Sequence, residues 1–140
     1  MDCTVSWLGN AGMAFSAETG SGHLLNMDGA PEAGGRNLAP RPMELLLAGA
    51  GGCSAFDVVL ILQKARQAVS GCEVKVKAER ASEDPKVFTK IDLHFTVTGK
   101  DLEQAKVDRA VKLSHEKYCS ATTMLAKTAE LTYTVEVISE

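Results

Sequence analysis

PMELLLAGAGGCSAFDVVLILQKARQAV, residues 42–69, holds no proline after its first residue and no charge between Glu44 and Asp57. The run reads as one long helix, so apolar on most sides that burial nearly all round is expected. Pro42 suits a first helical turn, where a missing N–H costs nothing, and Ser70-Gly71 is the expected C-terminal stop. Gly49, Gly51 and Gly52 each cost roughly 1 kcal/mol relative to alanine. That cost is understandable if another backbone packs closely there or the helix kinks. Cys53 lies among these small residues.

Upstream, Cys3, Val5 and Trp7 alternate with Asp2, Thr4 and Ser6, the period of a half-buried strand. A turn at Gly9-Asn10 leads to Met13, Phe15 and Ala17, and Gly20-Ser21-Gly22 turns the chain into residues 23–28. Three short strands joined by tight turns predict an antiparallel meander. Gly29–Arg41 is proline- and glycine-rich and reads as an irregular loop.

Downstream, Cys72, Val74, Val76 and Ala78 face inward while Glu73, Lys75, Lys77 and Glu79 face out. After a connection at Ser82–Lys86, Ile91, Leu93, Phe95 and Val97 alternate with Lys90, Asp92, His94, Thr96 and Thr98, predicting a two-stranded antiparallel unit. Asp101 with Gln104 reads as a capping box opening a helix through about His115. Tyr118-Cys119-Ser120 interrupts it, and Ala121–Glu130 forms a short helix with Cys119 or Ser120 near its N-cap. Leu131, Tyr133, Val135 and Val137 form a last strand. The order βββ-α-ββ-α-α-β is α+β, expected as a single domain over residues 1–140.

With 45% hydrophobic and 24% charged residues, the composition is that of an ordinary soluble globular protein. A net charge of −3 argues against a nucleic-acid partner. The N-terminus shows no signal-peptide pattern. The uncharged run Leu45–Phe56 is short of the ~20 residues that span a bilayer, so no membrane partner and a cytoplasmic location are expected. Cys3, Cys53, Cys72 and Cys119 are then reduced at rest, and their spacing matches no zinc pattern. His115 and Cys119, four apart, lack a second ligand pair. No metal and no cofactor are expected.

Two thiols stand out. Cys119 at a helix N-terminus sees about +0.5 of a charge from backbone dipoles, which favours thiolate, and Lys117 adds positive charge. Cys53 lies mid-helix, where burial raises a thiol pKa and Asp57, one turn on, raises it further. Cys53 therefore needs a cation or donor from elsewhere to react. Cys3 and Cys72, on inward strand faces, read as packing residues.

Pro42-Met43-Glu44-Leu45, the small-residue run into Gly52-Cys53, and Tyr118-Cys119-Ser120 before a short helix resemble the OsmC/Ohr family over essentially the whole chain. AGGCSAFDVVLILQKARQ followed by CEVK, then HFTVTGKDL and SHEKYCS, is most similar to its YhfA-like branch. The resemblance implies an OsmC-like fold, antiparallel sheets packed on a long central helix, in an intertwined homodimer with active sites at the subunit interface. It further implies thiol-dependent reduction of organic hydroperoxides. Cys53 attacks, Cys119 resolves it as a disulfide, and a dithiol such as a dihydrolipoyl group restores both.

The family's arginine and carboxylate activate the first thiol. Here Met43 takes the position of the carboxylate and the acid follows as Glu44. Glu44 and Cys53 are nine residues apart, ~180° around a regular helix. Glu44 is thus a candidate for the catalytic set or for an electrostatic cap at the helix start. Arg36 and Arg41 are candidate cations. The alternative to an enzyme is a non-catalytic OsmC-fold module that binds a small hydrophobic ligand.

Overall fold

The computed structural model describes all 140 residues and contains the expected order of elements. The chain forms two compact units, Met1–Leu47 and Ala48–Glu140.

In the first unit, β1 (Cys3–Trp7), β2 (Phe15–Thr19) and β3 (Leu24–Met27) form the antiparallel meander that the alternation predicts. The first turn uses left-handed backbone at Gly9, Asn10 and Ala11. Cys3, expected on an inward face, is exposed, as is all of β1. The strand's alternation is there without the burial. The loop after β3 is organised on one buried carboxylate. Asp28 Oδ1 accepts the Gly29 N–H at 2.8 Å, and Oδ2 accepts those of Arg36 at 3.0 Å and Leu38 at 3.2 Å. The backbone N–H groups of Arg36 and Leu38 hold its carboxyl below the ordinary 3.8.

A carboxyl depressed in the folded state stabilises fully above the unfolded value and loses that contribution as pH falls through the lower folded value. Residues 29–38 should therefore stay ordered through pH 4 and open below pH 3.8, read as amide exchange in that segment. Asp28→Asn, which turns an NH2 toward donors, should open the segment at neutral pH and remove the acid transition.

The long helix is α1 (Pro42–Lys64), and two expectations about it are corrected. It stops before Ser70-Gly71, because Arg66 takes the left-handed conformation, φ 57°. The Arg66 N–H then reaches Gln63 O at 3.0 Å and the Gln67 N–H reaches Leu62 O at 2.9 Å, the paired closure of a Schellman motif. Glycine is usual at that position, and an arginine there leaves no sequence signal. Nor is the helix buried all round. Within the second unit its buried residues Ala50, Ser54, Val58 and Leu62 form an i, i+4 stripe with Gly51 beside it, while Phe56 is 67% exposed. An 18-residue window of α1 has mean hydropathy 2.1, so length and composition alone would let it cross a membrane. The buried stripe packs against protein. Of the three glycines, Gly51 alone meets a neighbour, Val76 Cγ2, 3.1 Å from where a Cβ would lie.

In the second unit, β4 (Ala68–Arg80) pairs antiparallel with β5 (Phe88–Lys100), as expected, starting earlier because α1 ends earlier. The last strand, β6 (Glu130–Ser139), lies parallel to β5 on its other edge, so the sheet is mixed rather than wholly antiparallel. A parallel neighbour requires a crossover, and α2 (Gln104–Leu113) with α3 (Ser120–Leu125) supplies it. Leu93, Phe95 and Val97 of β5 form the core with Val58 and Leu62 of α1 and Val107, Ala110 and Val111 of α2. The other face of β5 is polar: Thr132 donates to Asp92 at 2.7 Å and His94 meets Thr134 at 2.6 Å.

The Asp101 capping box does not form. Asp101 has φ 51° and ends β5, a conformation its short polar side chain tolerates. Glu103 precedes α2 instead, with its N–H on Gln67 Oε1 at 2.8 Å and its carboxylate on Lys106 Nζ at 2.8 Å. The last helix also ends sooner than Glu130, at Leu125. Gly99 closes β5 where there is no room for a side chain: a Cβ would overlap the Ala68 carbonyl and come within 2.9 Å of Leu102 Cδ2. Gly99→Ala should cost about 1–3 kcal/mol, measured by urea unfolding.

Candidate active site

Sequence places Cys53 and Cys119 far apart; the second unit brings them together. Cys53 is half-buried on α1, and Cys119, one of the two residues expected near the N-cap of the short helix, is fully buried as the N-cap of α3. Their sulfurs, with a carboxylate oxygen of Asp57, lie within 4.8 Å of one another. Cys53 Sγ is 3.9 Å from Ser120 Oγ.

The local fold explains how Cys119 gets there. After Leu113, helix α2 widens into a π-type turn over Ser114–Tyr118, closed by the Cys119 N–H on Ser114 O at 2.9 Å. Such turns are rare and often mark functional sites. The turn is tied to α1 by Ser114, whose hydroxyl donates to Asp57 Oδ2 at 3.0 Å. Cys119 Sγ then accepts from Ser54 Oγ at 3.3 Å and from the Thr122 N–H at 3.4 Å. Burial pushes the Cys119 thiol up, but its hydrogen bonds with Ser54, Thr122 and Cys53 outweigh burial and hold it below the usual cysteine value. By contrast, burial pushes the Cys72 thiol up, which suits a packing residue.

Ser54, Ser114 and Thr122 were not among the expected site residues. Thr122 was findable, since it stands three after an N-cap and its N–H is the one a cap accepts. Ser54 and Ser114 carry no signal without the crossover geometry. Asp57 was expected only as a neighbour of Cys53; it also touches the turn that positions Cys119. His115 lies against Tyr133, ring centroids 4.8 Å apart, outside the thiol cluster.

Glu44 belongs to the first unit. Its Oε2 accepts the Arg41 N–H at 3.2 Å and its Oε1 lies 3.9 Å from Arg41 Nη1. This is the reach-back of a capping box from the third helical residue.

Comparison with known proteins gives the family and the fold. The sequence profile described as OsmC-like protein matches residues 34–134. Protein YhfA of Escherichia coli strain K12 is 52% identical over 139 residues, covering 99% of each chain. A crystal structure of a hypothetical protein from Aquifex aeolicus VF5 superposes with TM-score 0.85 at 30% identity, over 99% of this chain and 96% of that one. The fold also matches an organic hydroperoxide resistance protein OsmC from Legionella pneumophila, TM-score 0.68 at 19% identity, over 98% of both chains. With a profile match over most of its length and a relative 52% identical end to end, the chain belongs to the OsmC/Ohr family and is similar along its length to YhfA.

Proposed function

We propose that this protein reduces organic hydroperoxides with Cys53 and Cys119, in the cytoplasm and as a homodimer. The observation that carries the proposal is the approach of two free thiols from distant parts of the chain to within 4.8 Å. Access divides their roles. Cys119 is wholly buried, so a peroxide meets half-buried Cys53 first.

The Cys53 thiolate attacks the terminal peroxide oxygen, giving Cys53 sulfenic acid and, after proton uptake, the alcohol. Cys119, whose hydrogen bonds favour its thiolate, displaces hydroxide from that sulfur; a disulfide forms and water leaves. A dithiol such as a dihydrolipoyl group then exchanges with the disulfide, returning two thiols and closing its own ring. The exposed Phe56, Tyr118 and Met124 of the second unit are apolar surface for a second copy to cover. Glu44 with Arg41 is the acid–cation pair offered for thiol activation. Glu44→Gln should then slow turnover at least tenfold, whereas loss of an exposed cap alone would cost only about 0.5 kcal/mol of stability. Melting and peroxide assays on one preparation separate the two roles.

The decisive experiment is peptide mapping without reductant after one equivalent of cumene hydroperoxide. A Cys53–Cys119 linked peptide is expected. Cys53 oxidised with Cys119 left as thiol would overturn the pairing.

A further inference from the structure

The geometry points to a second use of the same cluster: a zinc site formed by Cys53, Asp57 and Cys119. It shares its thiols with the proposed reductase but does not depend on peroxide turnover. Cys53 and Asp57 are four residues apart, so they project from the same face of α1. Cys119 comes in from the crossover, and one ligand atom from each of the three lies within 4.8 Å of the other two. A tetrahedral zinc with bonds of ~2.0–2.3 Å needs edges of roughly 3.5–3.8 Å. Atoms at the 4.8 Å limit must therefore close by roughly 1 Å for zinc to bind.

The surroundings have the character of a ligand's outer layer. The Ser114 hydroxyl fixes the Asp57 carboxylate at 3.0 Å, and Ser54 Oγ and the Thr122 N–H donate to the Cys119 sulfur at 3.3 and 3.4 Å. Outer hydrogen bonds of this kind orient ligands and raise metal affinity. Two sulfurs and one carboxylate oxygen select a borderline-soft ion over calcium or magnesium, which take oxygen alone. Three protein ligands leave the fourth position of the tetrahedron to water.

Binding is a proton exchange. Zinc displaces one proton from each thiol, and two thiolates with one carboxylate give a complex of net charge −1. A Cys53–Cys119 disulfide removes both sulfur donors, so the oxidised chain has no site. Zinc occupancy and the disulfide are therefore mutually exclusive states of one thiol pair.

The test uses the reduced, metal-free full chain under anaerobic conditions, with zinc titrated against a chromophoric chelator and cobalt(II) as a spectroscopic substitute. One zinc per chain is expected, with a cobalt spectrum showing thiolate charge transfer and four-coordinate d–d bands. Asp57→Asn should weaken zinc at least tenfold, and Ser114→Ala by roughly 10–100-fold, as outer-layer changes do. Chain oxidised to the disulfide with diamide should bind none. The absence of saturable binding overturns the inference, as does a parent cobalt spectrum without thiolate charge transfer, which needs no variant to fold. Affinity unchanged in a folded Asp57→Asn protein also overturns it, leaving a bare dithiol. Peroxide consumption by the zinc-free protein is scored separately. Binding without turnover sinks the reductase alone, and turnover without binding sinks only the metal site.

Discussion

With Cys53→Ser, cumene hydroperoxide in the presence of excess dihydrolipoate should disappear on the order of 10³-fold more slowly, or not measurably above the uncatalysed rate. A serine oxygen at this position cannot form the sulfenic acid on which the second step depends. Cys119→Ser should behave differently. With the dithiol left out, one equivalent of peroxide is still consumed, because the attacking thiol is intact, and Cys53 is then held as sulfenic acid. A dimedone adduct on Cys53, formed only in the Cys119→Ser protein, is the signature of that state. If Cys53→Ser consumes peroxide at the parent rate, the assignment of the nucleophile is wrong.

Phe95→Ala should lower the unfolding free energy by about 3–5 kcal/mol, read from urea denaturation. Phe95 is 2% exposed at the centre of β5, the strand paired on both edges, and it belongs to the cluster containing Val58, Leu62 and Val107. Helices occupy one side of that cluster and the sheet the other, so neither can collapse into the space a benzyl group leaves. Against a typical total of ~5–15 kcal/mol, the loss is a large fraction of the whole. The urea midpoint should fall with little change in slope, since the surface exposed on unfolding is nearly the same. Phe56→Ala makes the contrast. Phe56 is 67% exposed in the chain, so its truncation should matter little at low protein concentration. A larger loss that grows with protein concentration would mark it as covered by a second copy.

Much of this architecture was legible because it rests on local periodicity. The meander, the β4–β5 hairpin and Cys119 at the head of a short helix all follow from alternation and turn residues. What escaped depends on partners distant in sequence or on residues in unusual roles. Arg66 ends α1 in a conformation where glycine is the usual signal. Asp101 has the composition of a cap but the backbone of a turn. The parallel placement of β6 is a property of the crossover, and the i, i+4 burial stripe of α1 is hidden in a helix whose other faces are also apolar. The two thiols could be named individually, but their meeting could not be derived from spacing. It depends on the π-type turn and on the Ser114–Asp57 hydrogen bond, neither of which has a sequence signature.

The parallel alignment of β5 with β6 has a consequence during synthesis. Translation runs at ~5–20 residues per second, and the interval from Lys100 to Glu130 therefore takes roughly 2–6 seconds. Throughout that time one edge of β5 offers its backbone N–H and carbonyl groups to any strand that arrives, beside Ile91, Leu93, Phe95 and Val97. An open apolar edge is where nascent chains aggregate. The helical crossover that carries Cys119 to Cys53 thus also sets how long the half-made sheet must wait for its own last strand.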